Sequence, residues 1–147
     1  MSNIVIIGGN YAGIAAAFEL RSKLSARDVV TVVSINEEFV FYPSLIWVVQ
    51  GERDLADISF PIRPVFEEAG IQFISSRAEE IDIKRKSVLL ANGQDLLYDK
   101  LVIATGGIWN WGATPGLMPK PEGETISILT PWSAEKARED WRALVAN

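Results

Sequence analysis

The stretch that decides the fold lies near the amino terminus and reads IVIIGGNYAG from Ile4 to Gly13. Its first four residues, Ile4 to Ile7, are β-prone and apolar, which is typical of a strand buried on both faces of a parallel sheet. Small and helix-forming residues then run from Tyr11 to Leu24, and residues 28–33 read DVVTVV, a second buried strand. The pattern predicts a βαβ unit over residues 3–34 with a right-handed crossover.

The turn between this strand and helix carries a fingerprint of dinucleotide binding. Such a loop needs small residues at three positions, for a tight turn, for backbone approach to a pyrophosphate, and for close packing of helix on strand. Gly8 and Gly13 occupy the first and third positions. Asn10 occupies the second, where we expect the left-handed conformation that Asn tolerates best among non-glycine residues. Its side chain is expected to project toward the pyrophosphate and to reduce affinity; a glycine turn without any ligand is the alternative.

The end of the second strand predicts the ribose contacts. An acidic residue about twenty positions after the glycines usually contacts the adenosine ribose. Here Ser34 and Asn36 can hydrogen-bond a hydroxyl without charge, whereas Glu37 lies beyond the expected strand end. No arginine stands there to hold a 2′-phosphate, so NADP is disfavoured. For Ser34, a simple strand-end role remains the alternative.

The rest of the chain completes an α/β, Rossmann-like fold, in which a parallel sheet with flanking helices carries a small antiparallel β-meander. The meander is predicted over about residues 77–98, because polar and apolar residues alternate there and Asn92-Gly93 is a hairpin turn signal. The other predicted elements are a helix from Pro61 to Ala69 capped by Ser59 and ended by Gly70, strands at 71–74, 101–104 and 126–129, a loop to about Gly123, and a last helix from 132 or 133 to Val145.

Composition excludes several classes of function. The chain has 147 residues with no Cys and no His, so disulfides, thiolate nucleophiles and Cys/His metal sites are excluded, and no metal is expected. The net charge is −5 without a long basic run, which argues against nucleic acid as a partner. Neither a signal peptide nor an apolar run of membrane-spanning length is evident, so we expect a cytoplasmic chain.

Several segments together resemble one family. They are Ile4 to Gly13, Val30 to Ser34, FYPS at 41–44, ISFPIR at 58–63, GIQF at 70–73 and YDKLVIATG at 98–106. Their order and spacing resemble the N-terminal region of the sulfide:quinone oxidoreductases, which are FAD-dependent members of the pyridine nucleotide-disulfide oxidoreductases. The resemblance covers nearly the whole chain and implies an FAD/NAD(P)-binding domain, of which residues 1–147 form a part.

The resemblance implies FAD as the cofactor and assigns its contacts by position. The phosphate loop would line the pyrophosphate, the second strand would face the adenosine, and later segments would meet the adenine and the ribityl side of the flavin. The residues so assigned are Gly8, Gly9, Asn10, Tyr11, Ala12, Gly13, Ser34, Asn36, Pro43, Ser44, Ala78, Ala104, Thr105 and Gly106.

Two departures from the family limit this prediction. Members that oxidise sulfide have a redox cysteine in a Ser-x-Cys-Thr segment, where this chain has Leu129, so no catalytic residue is assigned. The family is also more than twice as long, and its later parts supply the remaining cysteines, the quinone site and the contacts of a peripheral membrane protein. We therefore expect a piece of a longer protein or a short paralogue, inactive alone and able to occur without FAD.

Three alternatives stay open. One is a fragment similar to type II NADH:quinone dehydrogenases, and another is a non-catalytic module that binds an adenine nucleotide. The third concerns Trp47, Trp109 and Trp111, which either pack in the core or form an exposed apolar surface through which a homodimer assembles.

Overall fold

The computed structural model describes residues 1–117 and 125–146 of the chain. The strands are β1 (Asn3–Ile7), β2 (Val29–Ser34), β3 (Glu38–Val40), β4 (Ser59–Pro61), β5 (Gln72–Ser75), β6 (Ala78–Asp82), β7 (Ser87–Leu90), β8 (Asp95–Leu97) and β9 (Lys100–Ile103). The α-helices are α1 (Tyr11–Lys23), α2 (Leu45–Gln50), α3 (Ile62–Glu68) and α4 (Pro131–Val145). Short 3₁₀ turns lie at Tyr42–Ser44, Leu55–Ile58 and Trp111–Ala113. The first of two compact units comprises Met1–Phe39 and Pro61–Gly107, and the second comprises Val40–Phe60 and Ile108–Asn147.

A parallel sheet in the order β5-β2-β1-β9 forms the centre of the first unit. Because side chains alternate along a strand, β1 buries apolar groups on both faces of the sheet. Ile4 and Ile6 pack in a core cluster with residues of α1 and α3. Val5 and Ile7 pack on the other face with Val88 of the meander. Burial of each such side chain contributes about 1.5–3 kcal/mol, and the predicted class, a parallel sheet with flanking helices and a meander, is confirmed.

The meander consists of β6, β7 and β8, paired antiparallel. Its second turn follows the predicted Asn92-Gly93 signal, with Gly93 at a φ of 84° and its N–H donating to the Leu90 carbonyl at 2.9 Å. Its first turn ends at Lys86, which is held at a φ of 53° without being glycine. The meander thus runs through Ala78–Leu97 and covers one face of the sheet within the first unit.

Two helices form the core of the second unit. Leu45, Val48 and Val49 of α2 are buried against Ala134 and Ala137 of α4, and the small alanines let the two helices approach closely.

Arg138 of α4 ties the carboxyl end of α2 to the chain that follows it. Its Nε donates to the Val48 carbonyl at 2.6 Å, one terminal nitrogen donates to Asp54 at 2.8 Å, and the other donates to the Arg53 carbonyl. The guanidinium therefore adds a charged donor to the Val48 carbonyl, which also accepts the Gly51 N–H at 3.1 Å, and binds the Arg53 carbonyl in the segment after α2.

Two local predictions are wrong, and one helix was missed. Ser59 does not cap α3, because it belongs to β4 and the N-cap position is Pro61, which makes no side-chain hydrogen bond. The predicted strand at 126–129 is absent. Thr125 forms an isolated β-bridge, and the chain is irregular from there to the start of α4. Helix α2 was not predicted, since five apolar residues in a row carry no helical period. The loop predicted to Gly123 lies partly outside the described residues.

The tryptophans are not core residues. Trp47 and Trp109 are exposed, at 38% and 55%, and Trp111 is half-buried. The core-packing alternative is therefore wrong for Trp47 and Trp109. In the described part of the chain, no helix has both the length and the apolar character that crossing a bilayer requires.

Candidate functional site

The candidate site lies in the first unit, at the edge where the parallel strands have their carboxyl ends. The chain leaves β1 through α1 to β2 on one side, whereas β9 flanks β1 on the other side. This arrangement is a topological switch point, where open α/β sheets bind ligands in the crevice beyond the strand ends. The loop after β1, Gly8–Gly13, lies at that point, as the sequence predicted.

Backbone contacts explain the first and third glycines of this loop. A Cβ placed on Gly13 would lie 1.8 Å from the Gly8 carbonyl oxygen, and one on Gly8 would lie 2.1 Å from the Ala104 carbonyl oxygen. Gly8 also has a φ of 116°, which side chains disfavour. Hydrogen bonds fix the segments, with Gly8 N–H donating to the Val33 carbonyl at 2.8 Å and Ala104 N–H to the Ile7 carbonyl at 2.7 Å. Glycine at both positions brings α1, β1 and the end of β9 into backbone contact.

Gly9 packs against the end of β2. A Cβ at Gly9 would lie 2.9 Å from Ser34 Cβ, 3.0 Å from Ser34 Oγ and 3.0 Å from Ile62 Cδ1. Ser34 is buried, and its hydroxyl accepts a hydrogen bond from the Asn36 N–H at 3.1 Å. The structure therefore brings together Gly9, Ser34 and Asn36, and the Ser34 hydroxyl serves the turn after β2.

The amino end of α1 is the electropositive part of the site. The first intrahelical hydrogen bond runs from Ile14 N–H to the Asn10 carbonyl at 2.8 Å, so the N–H groups of Tyr11, Ala12 and Gly13 have no acceptor within the helix. The first turn contains no acidic residue. A helix start of this kind attracts anions, phosphates included.

Asn10 does not have the conformation that the sequence suggested. Its φ of −118° and ψ of −163° are extended, and it is the N-cap of α1. The side-chain Oδ1 accepts the Tyr11 N–H at 2.9 Å. The prediction of a left-handed Asn10 is wrong because an N-cap residue is extended, a conformation that lets its side chain reach the helix amides.

The remaining predicted residues of the first unit lie along the same edge. Ala78 opens β6, shortly after Ser76, whose N–H donates to the Ser34 carbonyl at 3.0 Å. Ala104 is half-buried beside Gly8, whereas Thr105 and Gly106 are exposed and follow it.

Pro43 and Ser44 belong to the second unit, in the 3₁₀ turn before α2. The Ser44 hydroxyl is buried, and among the described residues it has no hydrogen-bond partner. A buried hydroxyl without a partner is costly unless a ligand or water satisfies it.

Sequence reasoning missed Arg63 of α3, which lies beside the end of β2. Its Nη1 donates to the Phe73 carbonyl at 3.2 Å, its guanidinium stands 4.9 Å from the Phe73 ring centre, and its Nη2 is 3.8 Å from a Glu37 carboxylate oxygen. The exposed Glu37 therefore faces a cation. The FPIR segment that contains Arg63 contributed only to the family resemblance, and nothing local to it could have indicated this contact.

Leu129, for which the resemblance implied a cysteine position, lies in the second unit. Its side chain is 40% exposed, and its N–H donates to the Ser127 hydroxyl at 3.2 Å. Across the described residues, no group of three or more His, Cys, Asp or Glu side chains could hold a metal ion.

Comparison with known proteins identifies the family of the chain. The family described as pyridine nucleotide-disulphide oxidoreductase matches residues 2–145. The chain belongs to this family. Among its curated members, the chain is 34% identical to the sulfide-quinone reductase of Aquifex aeolicus over 142 residues, covering 97% of the chain and 31% of that protein. It is also 31% identical over 107 residues to the type II NADH:quinone oxidoreductase of Staphylococcus haemolyticus, covering 70% of the chain and 26% of that protein.

Solved structures of the family have the same fold. The sulfide:quinone oxidoreductase from Aquifex aeolicus superposes with a TM-score of 0.86 at 33% identity. The superposition covers all of this chain and 33% of the Aquifex chain. The NADH:rubredoxin oxidoreductase from Clostridium acetobutylicum superposes with a TM-score of 0.71 at 25% identity, covering 97% of this chain and 36% of its own. The chain spans less than a third of the length of these curated family members.

Proposed function

We propose that this chain supplies the FAD-binding part of a flavin-dependent oxidoreductase similar to sulfide:quinone oxidoreductase, with the diphosphate of FAD at the start of α1. The observation that carries the proposal is the tight backbone packing of Gly8, Gly13 and Ala104, which a Cβ at either glycine would prevent. It lies at the switch point of the sheet and beside helix amides that have no intrahelical acceptor.

The residues present fit the cofactor. Within the first unit, the start of α1 presents the N–H groups of Ala12 and Gly13, which have no intrahelical acceptor, as donors for a diphosphate. Ser34 and Asn36 place neutral polar groups at the end of β2. The family model's match to residues 2–145 supports the same cofactor, because the family implies FAD.

The work of the chain in this proposal is binding and orientation. Tyr11 and Ala12 would offer amides to the phosphates, Ser34 and Asn36 would face the ribose, and Thr105 and Gly106 would border the cofactor beyond β9. FAD, when bound, supplies two-electron redox chemistry that no side chain here provides.

Electron donor and acceptor are proposed for a whole protein rather than for this chain. Relatives are named for reactions with sulfide and quinone and with NADH and quinone, so a quinone acceptor and a peripheral membrane location are part of the proposal. Leu129 argues against a sulfide donor that reacts through a cysteine at this position. The exposed Trp47 and Trp109 are available for a homodimer interface.

Two rival functions make different predictions. A type II NADH:quinone dehydrogenase-like protein would require a second glycine-rich NAD motif elsewhere in the gene. A non-catalytic module would bind AMP or ADP and ignore FAD, whereas the proposed function predicts that added FAD binds and that flavin absorbance copurifies with a longer protein.

The proposed site can be tested without disturbing the fold by changing Ala12, an exposed residue in the first turn of α1. Glu at this position favours the helix, since a negative charge stabilises a helix start, but it repels a diphosphate. We expect Ala12→Glu to lose ADP and FAD binding in calorimetric titrations and to keep its melting temperature, while the neutral, equally long Ala12→Gln binds like the parent. Equal affinity in the Glu and Gln variants would contradict the placement of the diphosphate.

A second variant tests this backbone packing itself. Gly8→Val is expected to abolish ADP and FAD binding because its Cβ would lie 2.1 Å from the Ala104 carbonyl oxygen, so the loop must shift away from its position. Gly70→Val is the matched control: Gly70 also has a positive φ, of 70°, but a Cβ there meets no atom within 4 Å. The control also places a side chain at a positive φ and should still bind; undiminished titration of Gly8→Val would refute the assignment of the loop.

A further inference from the structure

Asn10 stands at the loop position where dinucleotide-binding loops have their second glycine, and its side chain has a definite contact. The carboxamide Oδ1 accepts the N–H of Tyr11 at 2.9 Å. The backbone of Asn10 is extended and unstrained, so Asn costs the loop nothing in conformation. The side chain therefore occupies one of the amides that a diphosphate would otherwise use.

Resting on the proposed function, we propose that Asn10 is an internal competitor of the cofactor's diphosphate. In the ligand-free chain its carboxamide caps α1, and a diphosphate binds only when that carboxamide leaves the Tyr11 N–H. Asn10 thereby lowers the affinity of the site for a diphosphate and keeps the start of α1 capped in the ligand-free form.

The competition has a simple physical basis. A phosphate oxygen and Oδ1 are both acceptors for the same N–H, which can serve only one of them well. The phosphate carries charge and makes the stronger bond, so it can displace the carboxamide at the cost of the existing cap. Asn10 is half-buried rather than enclosed, so a displaced carboxamide can be hydrated.

Neighbouring contacts decide that the side chain moves and not the backbone. Gly9 is buried, and even an added Cβ would stand about 3 Å from Ser34 and Ile62. Gly8 is fixed by its hydrogen bond to the Val33 carbonyl and by its approach to Ala104. The loop has no room to retreat from a ligand, and rotation of the Asn10 side chain is the available response.

The test compares Asn10→Gly with Asn10→Asp, titrating ADP, FAD and adenosine into each protein. For Asn10→Gly we expect ADP and FAD to bind about fivefold more tightly, the change that corresponds to one net hydrogen bond. Adenosine, which lacks phosphate, should bind as to the parent. The ligand-free melting temperature should change little, because Gly replaces Asn at an N-cap with small loss.

Asn10→Asp keeps the size and the capping oxygen and adds a negative charge. The ligand-free chain should melt at a slightly higher temperature, since the charge favours the helix start. ADP and FAD should bind at least about fivefold more weakly, the effect of two unit charges about 4 Å apart in water. This penalty should shrink with added salt, because ions screen the repulsion.

The outcomes separate the two claims. If the parent binds ADP or FAD and Asn10→Gly binds them equally or more weakly, the side chain assists binding and the competitor role is overturned while the site stands. If adenosine affinity rises as much as that of ADP, the effect is not on the diphosphate, and the inference also fails. If neither the parent nor any variant binds ADP or FAD, the proposed function fails and the inference falls with it.

Discussion

Replacing Gly13 by Ala tests whether backbone contact at the start of α1 governs the stability of the first unit. In an ordinary helix this change stabilises by about 1 kcal/mol. Here the new Cβ would lie 1.8 Å from the Gly8 carbonyl oxygen, whereas real Cβ atoms keep at least 3.0 Å. The obstructing atom is backbone, held through the Gly8 hydrogen bond to the Val33 carbonyl, so the helix must shift. Overpacking costs about 1–3 kcal/mol and sometimes more, and the upper end applies here because the obstructing atom is backbone. A cost of about 3 kcal/mol less the helix gain of about 1 kcal/mol leaves a net loss of about 2 kcal/mol.

Urea unfolding followed by far-ultraviolet circular dichroism, with hydrogen exchange of the β1, β2 and β9 amides, measures this loss. Tryptophan fluorescence is unsuitable, because all five tryptophans lie in the second unit. Ala15→Gly, at an exposed position of α1, is the control and should lose about 1 kcal/mol through helix propensity alone. If Gly13→Ala unfolds at the same or a higher urea concentration than the parent, the contact does not constrain the helix and the reasoning is refuted.

Two further predictions concern polar contacts. Arg138→Met should destabilise the second unit by about 2 kcal/mol, because two carbonyls lose a charged donor. Asp54→Asn, which weakens only an exposed ion pair, should cost about 0.5 kcal/mol. Urea titration followed by tryptophan fluorescence compares the two variants, and equal losses of stability would contradict the carbonyl contacts. Hydrogen bonds from the Ser25 hydroxyl and the Ser2 amide lower the pKa of Asp28, so the unfolded chain takes up the proton first. Its stabilising contribution is therefore present above the ordinary carboxyl pKa of about 3.9 and is lost as pH falls through the lowered pKa. Urea midpoints of the parent and Asp28→Asn should differ at neutral pH and converge in acid; a gap independent of pH would contradict the linkage.

The parts of the fold that could be predicted are those whose sequence pattern has one physical meaning. β1 and β2 are β-branched and buried on both faces, which leaves little alternative to a parallel sheet. Patterns with two meanings failed. Helix α2 buries Leu45, Val48 and Val49, but the exposed residues between them, Ile46 and Trp47, are also apolar. The result is a continuous apolar run, which cannot be distinguished from a strand by its period. Ile126, Ile128 and Leu129 are apolar, yet their segment remains irregular, with Ile126 57% exposed.

For the candidate site, sequence reasoning reached the residues that are local to the loop. Gly8 and Gly13 were predicted from their spacing, and their close contacts explain that spacing. The contacts of Ile62 and Arg63 could not be predicted, since the fold brings α3 to the end of β2 from a distant part of the chain. The conformation of Asn10 was predicted from its residue type, but capping of the helix decided it.

The close approach of the Ala104 carbonyl to Gly8 has a consequence for how the protein folds during its synthesis. Gly8 and Ala104 come from the two separate chain segments that make up the first unit, and Val40–Phe60 is synthesised between them. A nascent chain that has not yet delivered β9 leaves one edge of β1 unpaired, a surface on which strands of other chains can add. If the chain binds a nucleotide as proposed, the packing of Gly8 against Ala104 is completed only after β9 has been synthesised and has docked, and capture of the emerging polypeptide on immobilised ADP would time that event on the ribosome.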